Sequence, residues 1–326
     1  MNSFGDKWTF TSFGESHGAA IGGVLDGVPA GLRIDLEMIR EELDRRAGKG
    51  VREKDGSSSL QDATLQKVGV SQRAVREPDE VEWLSGVIKS TEDRVQNTDL
   101  ITLGTPIGFI IRNKDARPED YEWLRHTYRV GHADKVYEQK YGIRDWRGGG
   151  RASARETAAR VVAGCIAKQD LAQKGIEIRA ELIQVGAETN PEKFAETIAA
   201  YQREGDSIGG IIECRIKGLP AGVGEPIFNK LQAELAFAIM SINACKGFEY
   251  GTGFGGVTQP GSAINAISGG IAGGISDGTE IVFRCVFKPT PSTPKAGVKG
   301  RHDACVATRA VPIVEAMTAL TLVQLI

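Results

Sequence analysis

Apolar residues recur along this chain with two periods, and each period predicts a different element. Over 35–46 (DLEMIREELDRR), Leu36, Ile39 and Leu43 keep helical spacing behind Asp35, a residue suited to capping. Over 153–173, Val161, Val162, Cys165 and Ile166 form an apolar stripe behind Ser153-x-x-Glu156, a capping-box pattern. Over 226–242, Pro226 stands where a first turn would begin, ahead of Ile227, Leu231, Leu235 and Ile239. The stretch 312–325 repeats that opening with Pro312. The other period is two. Ile208, Ile212, Cys214 and Ile216 alternate with Ile211, Glu213 and Arg215; Ile281, Phe283, Cys285 and Phe287 alternate with Glu280, Val282, Arg284 and Val286. Such alternation favours antiparallel sheets with one covered face.

The two kinds of element occur twice in the same order. Ile21-Gly22-Gly23 leads through Gly27-Val28-Pro29-Ala30-Gly31 to a helix, and Ile208-Gly209-Gly210 leads through Gly218-Leu219-Pro220-Ala221-Gly222 to another. Two copies of strand–GxPAG–helix predict an α+β sandwich of two pseudo-repeated halves, antiparallel sheets covered by helices, in one domain over 1–326. The polar, weakly periodic stretches 53–75 and 89–103 read as surface excursions.

Composition narrows the function classes. Lys+Arg is 40 against Asp+Glu 42, a near balance that argues against a surface built for nucleic acid. No run approaches the roughly 18 apolar residues of a membrane helix. The N-terminus lacks a signal-peptide pattern, and five scattered cysteines without CxxC fit a reducing, cytoplasmic compartment. Glycine is the unusual feature, at 41 of 326 residues against the usual ~7%. It falls in short clusters such as Gly148-Gly149-Gly150 and Gly273-Gly274. Clustered glycine lets backbone approach a ligand closely, which predicts a site built from loops.

Three of the four histidines have pointed contexts: Ser16-His17-Gly18, Gly131-His132-Ala133-Asp134 and Arg301-His302-Asp303. Each could serve as a proton donor near neutral pH or as a satisfied structural residue. His126 has no such setting and reads as structural. The densest signal is 144–157, where a triple glycine opens onto a capped helix and Arg147, Arg151 and Arg155 lie four apart, the latter two on one side of the first helical turns. Helix N–H groups and arginine forks together suit phosphate. Arg45, Arg46 and Arg52, and Lys299, Arg301 and Arg309, add basic clusters to the anion reading. Gly251–Gly256 matches GxGxxG but runs into Val-Thr-Gln-Pro-Gly rather than a helix, so the dinucleotide reading fails. No metal-spaced Cys/His cluster, P-loop or GxSxG elbow is present, and no metal is expected.

Taken together, these residues resemble the chorismate synthase family across nearly the whole chain. Phe13–Gly18, then Gly131–Asp134 with Arg147–Thr157, then Gly273–Ser276, Lys288–Thr290 and Gly300–Cys305 with Arg309–Pro312 look like its three signatures in order. The resemblance implies a β-α-β sandwich, a homotetramer, and anti-1,4-elimination of phosphate from 5-enolpyruvylshikimate 3-phosphate to give chorismate. It implies reduced FMN without net redox change, with NADPH as a candidate flavin reductant. His17 matches the residue that protonates reduced flavin, and His132 the one that assists the departing phosphate. Ser16, Ser153 and Asp303 match hydrogen-bonding or relay positions. Flavin contacts map onto Arg151, Ser153, Asn243, Ala244, Gly273, Lys288, Pro289, Thr290, Pro291, Ser292 and Arg301. Arg46, Arg52, Arg129, Arg155 and Arg309 match positions for substrate or phosphate.

The chain departs from the pattern at Ala47, Gly48, Val130, Ala152 and Ala304, and looks short between Asn265 and Ser268 and between Pro294 and Lys299. A catalytically impaired family member is therefore one alternative. A polyanion or RNA binder using Arg147-Gly-Gly-Gly-Arg151 is the other; it would lose affinity steeply with salt.

Overall fold

Alternation builds the two sheets, and the GxPAG turns hand each sheet on to its helices. The computed structural model describes residues 1–48, 79–89, 99–114, 116–263, 268–298 and 303–326. Arg52, Arg301, His302, the excursion 53–75 and most of 89–103 lie outside the described residues.

The first half carries β1 (Ser3–Phe4), β2 (Thr9–Phe13), β3 (Ala20–Asp26), β4 (Arg33–Ile34), α1 (Leu36–Ala47), β5 (Val81–Trp83), β6 (Val87–Lys89), β7 (Leu100–Thr102) and β8 (Ile107–Arg112). Then come α2 (Asp134–Tyr141) and α3 (Thr157–Gln173). The second half adds β9 (Glu177–Val185), α4 (Phe194–Arg203), β10 (Gly210–Lys217), α5 (Leu231–Met240), β11 (Cys245–Tyr250), β12 (Ile271–Ala272), β13 (Ile275–Ser276), β14 (Ile281–Phe287) and α6 (Ala307–Leu325). The larger sheets are ordered β1-β2-β3-β8-β5 and β11-β14-β10-β9. Every pairing within them is antiparallel, as alternation requires. Helices α3 and α6 pack on each other; α3 also touches β2, β3 and β9, and α6 touches β9 and β10. Helix thus lies between two sheets. The protein is a β-α-β sandwich.

The echo seen in sequence is an echo in geometry. The order β2-β3-β8-β5 corresponds strand for strand to β9-β10-β14-β11. Both glycines of each GxPAG take positive φ: +85° and +84° at Gly27 and Gly31, +76° and +99° at Gly218 and Gly222. A Cβ on Gly27 would strike the Lys7 carbonyl, and one on Gly218 the Gly175 carbonyl, so only glycine fits. One hydroxyl staples each turn. Thr102 Oγ1 donates to the Pro29 carbonyl at 2.6 Å and accepts from the Leu32 N–H at 2.9 Å. Ser276 Oγ donates to the Pro220 carbonyl at 2.6 Å and accepts from the Val223 N–H at 2.9 Å. Thr102→Val and Ser276→Ala each strand a buried N–H. Each is expected to cost about 1–3 kcal/mol in denaturant unfolding; no loss in either variant would remove the staple from the account.

Local expectations fared unevenly. Helix α1 has its Asp35 cap, with Oδ1 accepting from the Met38 N–H at 3.1 Å, and it ends at Gly48 with φ 78°. Ile212, Cys214 and Ile216 on β10, and Ile281, Phe283, Cys285 and Phe287 on β14, all face the core. Pro226, however, does not open α5. Asn229 at φ 58° breaks the path, Ile227 is 68% exposed, and the helix begins at Leu231. Nor does Pro312 open α6; it sits inside a helix begun at Ala307, where its missing N–H leaves the turn one donor short. Ser153 is extended and caps a short 3-10 turn, Ala154–Glu156, ahead of α3. Its capping-box partner Glu156 pairs with Arg160 at 2.9 Å instead.

Candidate active site

The triple glycine decides where both histidines stand. Gly148 and Gly149 take φ of +62° and +91°, so the backbone turns tightly between β-sandwich and α3. A Cβ on Gly148 would run into the His17 ring, and one on Gly149 would lie 2.7 Å from His132 Cε1 and 2.8 Å from Arg129 Nη2. Adjacent glycines therefore press against the two imidazoles, one each. Both rings line one cavity of about 330 Å³, within the usual range for small-molecule sites. His17 is buried, with Nδ1 3.1 Å from Ser16 Oγ and its ring edge-on to Tyr121 at 4.7 Å. His132 enters from the loop before α2, its Nδ1 2.8 Å from the Asp134 carboxylate.

Cations gather around the same cavity. Asp79 splits its carboxylate, Oδ2 accepting from Arg46 at 2.9 Å and Oδ1 from Arg155 at 2.6 Å. Burial pulls the Arg46 guanidinium below its usual value, while Asp79 opposes that loss. Burial pushes the Asp79 carboxyl up, but the two arginines outweigh it and hold it low. Arg155 Nε also donates to Asn113 Oδ1 at 3.0 Å, and Asn113 Nδ2 donates to the carbonyls of Glu15 and Gly18 at 2.9 Å each. The arginine pair and the Ser16–His17 turn are thereby one framework. Arg112, Lys114, Arg129 and Arg309 complete six lining cations, against the lining carboxylates Asp79 and Asp303. Three carboxylates pair from behind, Glu82 with Arg112, Glu80 with Lys114 and Asp134 with Arg129. The described charges still sum to positive. The cavity suits a polyanion.

Unused polar atoms mark where a ligand would bind. Among the described residues, Arg46 Nε, Asn243 Oδ1, Ser292 Oγ and Arg309 Nη2 are buried without a hydrogen-bond partner, and all four residues line the cavity. Arg309 Nη2 lies 2.9 Å from Asp303 Oδ1, an ion pair without hydrogen-bond alignment. Buried polar groups are normally satisfied, so four orphans around one space point to a missing partner. Ser153 lines it too, although its hydroxyl already accepts from the Arg155 N–H at 3.3 Å.

Several residues expected at the site stand apart from this lining. Arg151 donates to Ser12 Oγ at 2.5 Å and to the Gly14 carbonyl at 3.3 Å, tying the loop to β2. Arg147 is held by Asp145 at 2.8 Å. Only Arg155 of that trio lines the cavity, because extended Ser153 interrupts the helical period that would have aligned Arg151 with Arg155. Arg45 turns away from Arg46, as neighbours on a helix do, and pairs with Glu42 and Glu315 at 2.8 and 2.9 Å. Of 288–292, Thr290 and Ser292 reach the cavity. Lys288 Nζ meets the Gly131 carbonyl at 3.5 Å, and a Cβ on Gly131 would lie 2.8 Å from Pro291 Cβ, so this stretch braces the His132 loop. Pro289 and Ala244 are not in the lining; Ala244, at φ 69°, accepts from the Lys288 N–H at 3.0 Å. Gly273 and Gly274, at φ +64° and +108°, turn the β12–β13 hairpin, and Gly273 faces open space.

Asp79, Asn113 and Tyr121 were not legible as site residues. Each acts through a contact distant in sequence, and none has a motif around it. Ile242, Val306, Ala310 and Ile313 supply an apolar wall that reads in sequence as ordinary core. Among the described residues no helix is long and apolar enough to cross a membrane, and no His/Cys/Asp/Glu group could hold a metal ion.

Comparison with known proteins agrees with this geometry. The family model described as chorismate synthase matches residues 8–326. A chorismate synthase of Christiangramia forsetii is 45% identical, covering 98% of this chain and 96% of its own. One from Phocaeicola vulgatus is 44% identical, covering 99% and 97%. The first alignment runs over 369 positions, more than the 326 residues here, so the relative carries internal segments that this chain lacks. A crystal structure of chorismate synthase superposes with a TM-score of 0.72 at 28% identity, covering 99% of this chain and 92% of the other.

Proposed function

The chain belongs to the chorismate synthase family, lyases of the shikimate pathway, and we propose that its cavity performs the family's elimination with reduced FMN. The reaction removes phosphate and a ring hydrogen from 5-enolpyruvylshikimate 3-phosphate in a 1,4 sense and leaves chorismate. The observation that carries the reading is the pair Gly148–Gly149, which abuts two imidazoles that line one positively charged cavity.

The donor set fits a flavin. Asn243 Oδ1 can accept from a ring N–H, Ser292 Oγ can donate to a ring carbonyl or accept from a ring N–H, and the unpartnered Arg46 Nε suits phosphate. Asn243, Thr290 and Ser292 would hold the cofactor, with Arg151 and Lys288 supporting the loops around it. Reduced FMN, when bound there, would supply the electron density for C–O cleavage and a place for the ring hydrogen. The chain's own residues do the rest. Arg129, Arg46, Arg155 and Arg309 neutralise phosphate and carboxylates. His132 donates a proton to the departing phosphate, while His17, beside Ser16, holds the flavin's proton. The apolar wall from Ile242 and α6 excludes water, which strengthens every charge contact inside.

Exposed apolar residues, including Phe228 at 84%, Phe237 at 63% and Phe254 at 85%, support assembly into the homotetramer. Five buried thiols fit a reducing compartment. Anaerobic incubation with authentic substrate and reduced FMN is expected to release one phosphate per chorismate formed. Absence of both products would end the activity reading and leave the fold standing.

A further inference from the structure

Asp134 opens α2 two residues beyond His132 and is only 4% exposed. The backbone N–H and Nε of Arg129 donate to its Oδ2 at 3.0 and 2.9 Å, and Arg129 Nη2 donates to Oδ1 at 2.7 Å. The same Oδ1 lies 2.8 Å from His132 Nδ1. Nη2 and Nδ1 are thus neighbours of one oxygen, and their 3.1 Å separation is the third side of that triangle.

Two states of the neutral imidazole compete. With the lone pair on Nδ1, that lone pair would face a carboxylate oxygen at 2.8 Å. Burial pushes the Asp134 carboxyl up, but the bonds from Arg129 and His132 outweigh it and hold it far below the usual carboxylate range. It therefore has no proton to offer. With the proton on Nδ1, the ring donates to Oδ1 and both donors converge on the same anion. The sign of the contact selects this state. The Nε2 edge then lies along Gly149, where an added Cβ would sit 3.2 Å from Nε2.

Resting on the reading of His132 as proton donor, we infer that Asp134 is a positioning residue that fixes His132 in the Nδ1–H tautomer and reserves Nε2 for the phosphate. His132 enters this step as the imidazolium, carrying a second proton on Nε2; that proton passes to a phosphate oxygen as the C–O electron pair leaves with the phosphate, and the ring is left as the neutral Nδ1–H tautomer. Asp134 stays ionised throughout, and the same carboxylate holds Arg129 beside the ring.

D134N keeps the size and removes the charge. It is expected to lower kcat by about 10²–10⁴-fold, the upper end being the cost of the same change beside a protease histidine. The amide oxygen of D134N can still accept from the Arg129 backbone N–H and Nε, so Arg129 keeps its place and KM for the substrate should stay within about threefold. In an H132A background, D134N should lower kcat by less than about threefold more, since the group it acts through is gone. A full multiplicative loss in the double variant, or a rise in KM with kcat unchanged, overturns the inference. Should D134N fail to fold, ¹⁵N NMR of the histidine-labelled wild-type protein decides. The His132 resonances, identified by their disappearance in H132A, must show the neutral ring protonated on Nδ1 with its lone pair on Nε2; the opposite tautomer overturns the proposal. This readout needs no turnover, so its failure is separate from failure of the enzymatic reading, which the H132A rate tests alone.

Discussion

His17→Ala and His132→Ala are each expected to slow turnover by about 10²–10⁴-fold, the range for lost acid–base help. The two losses have different origins. His132 is framed by Arg129 and a carboxylate, so its removal takes away the proton donor at the phosphate end. His17 sits buried beside a hydroxyl and an aromatic edge, and its removal takes away the cavity's second ring. Adding imidazole to the Ala variants should restore part of the rate if only the ring is missing. Single-turnover phosphate release under anaerobic conditions measures both. Near-normal rates in both variants would leave the paired rings without a chemical role.

The second large effect concerns stability. Glu315 on α6 is buried with Lys168 of α3, at 2.6 Å, and with Arg45 of α1, at 2.9 Å. Lys168 and Arg45 also share Glu42, and Glu315 Oε1 accepts from the Ala180 N–H at 2.9 Å. One carboxylate therefore joins three helices and β9. Glu315→Gln leaves two cations short of a counter-charge and is expected to cost about 3–5 kcal/mol in denaturant unfolding. Burial pushes the Glu315 carboxyl up, but the Lys168 and Arg45 charges overturn this and set it at about 2, below its ordinary 4.5. A lowered carboxylate contributes its stability above the unfolded value and loses it as pH falls through the folded value. Wild-type stability should thus decline between pH 4.5 and about 2. Glu315→Gln should flatten that segment. An unchanged slope would separate the network from acid unfolding.

The sequence carried most of the fold because its determinants are local or repeated. Asp35 caps α1 from its own first turn, period-two runs declare β10 and β14, and the GxPAG copies announce both glycine turns. What escaped is set by distance. Asp79, just ahead of β5, meets Arg46 of α1 and Arg155 of the turn before α3 only in the folded chain, and nothing in the neighbouring sequence singles it out. Proline misled at Pro226 and Pro312: its fixed φ suits a first turn, yet Asn229 delays α5 and packing on α3 carries α6 through Pro312. Of the arginine series only Arg155 lines the cavity, because a break at Ser153 destroys the four-residue register. Histidine contexts were legible since glycine beside a ring signals space, and Gly148 and Gly149 supply that space from a second segment.

A crystal structure of the complex with FMN and substrate tests the shared cavity most directly. The account predicts the flavin against Asn243 and Ser292, with the substrate phosphate between Arg129 and the Nε2 edge of His132. Ligand density elsewhere, with both imidazoles touching only solvent or protein, would contradict it.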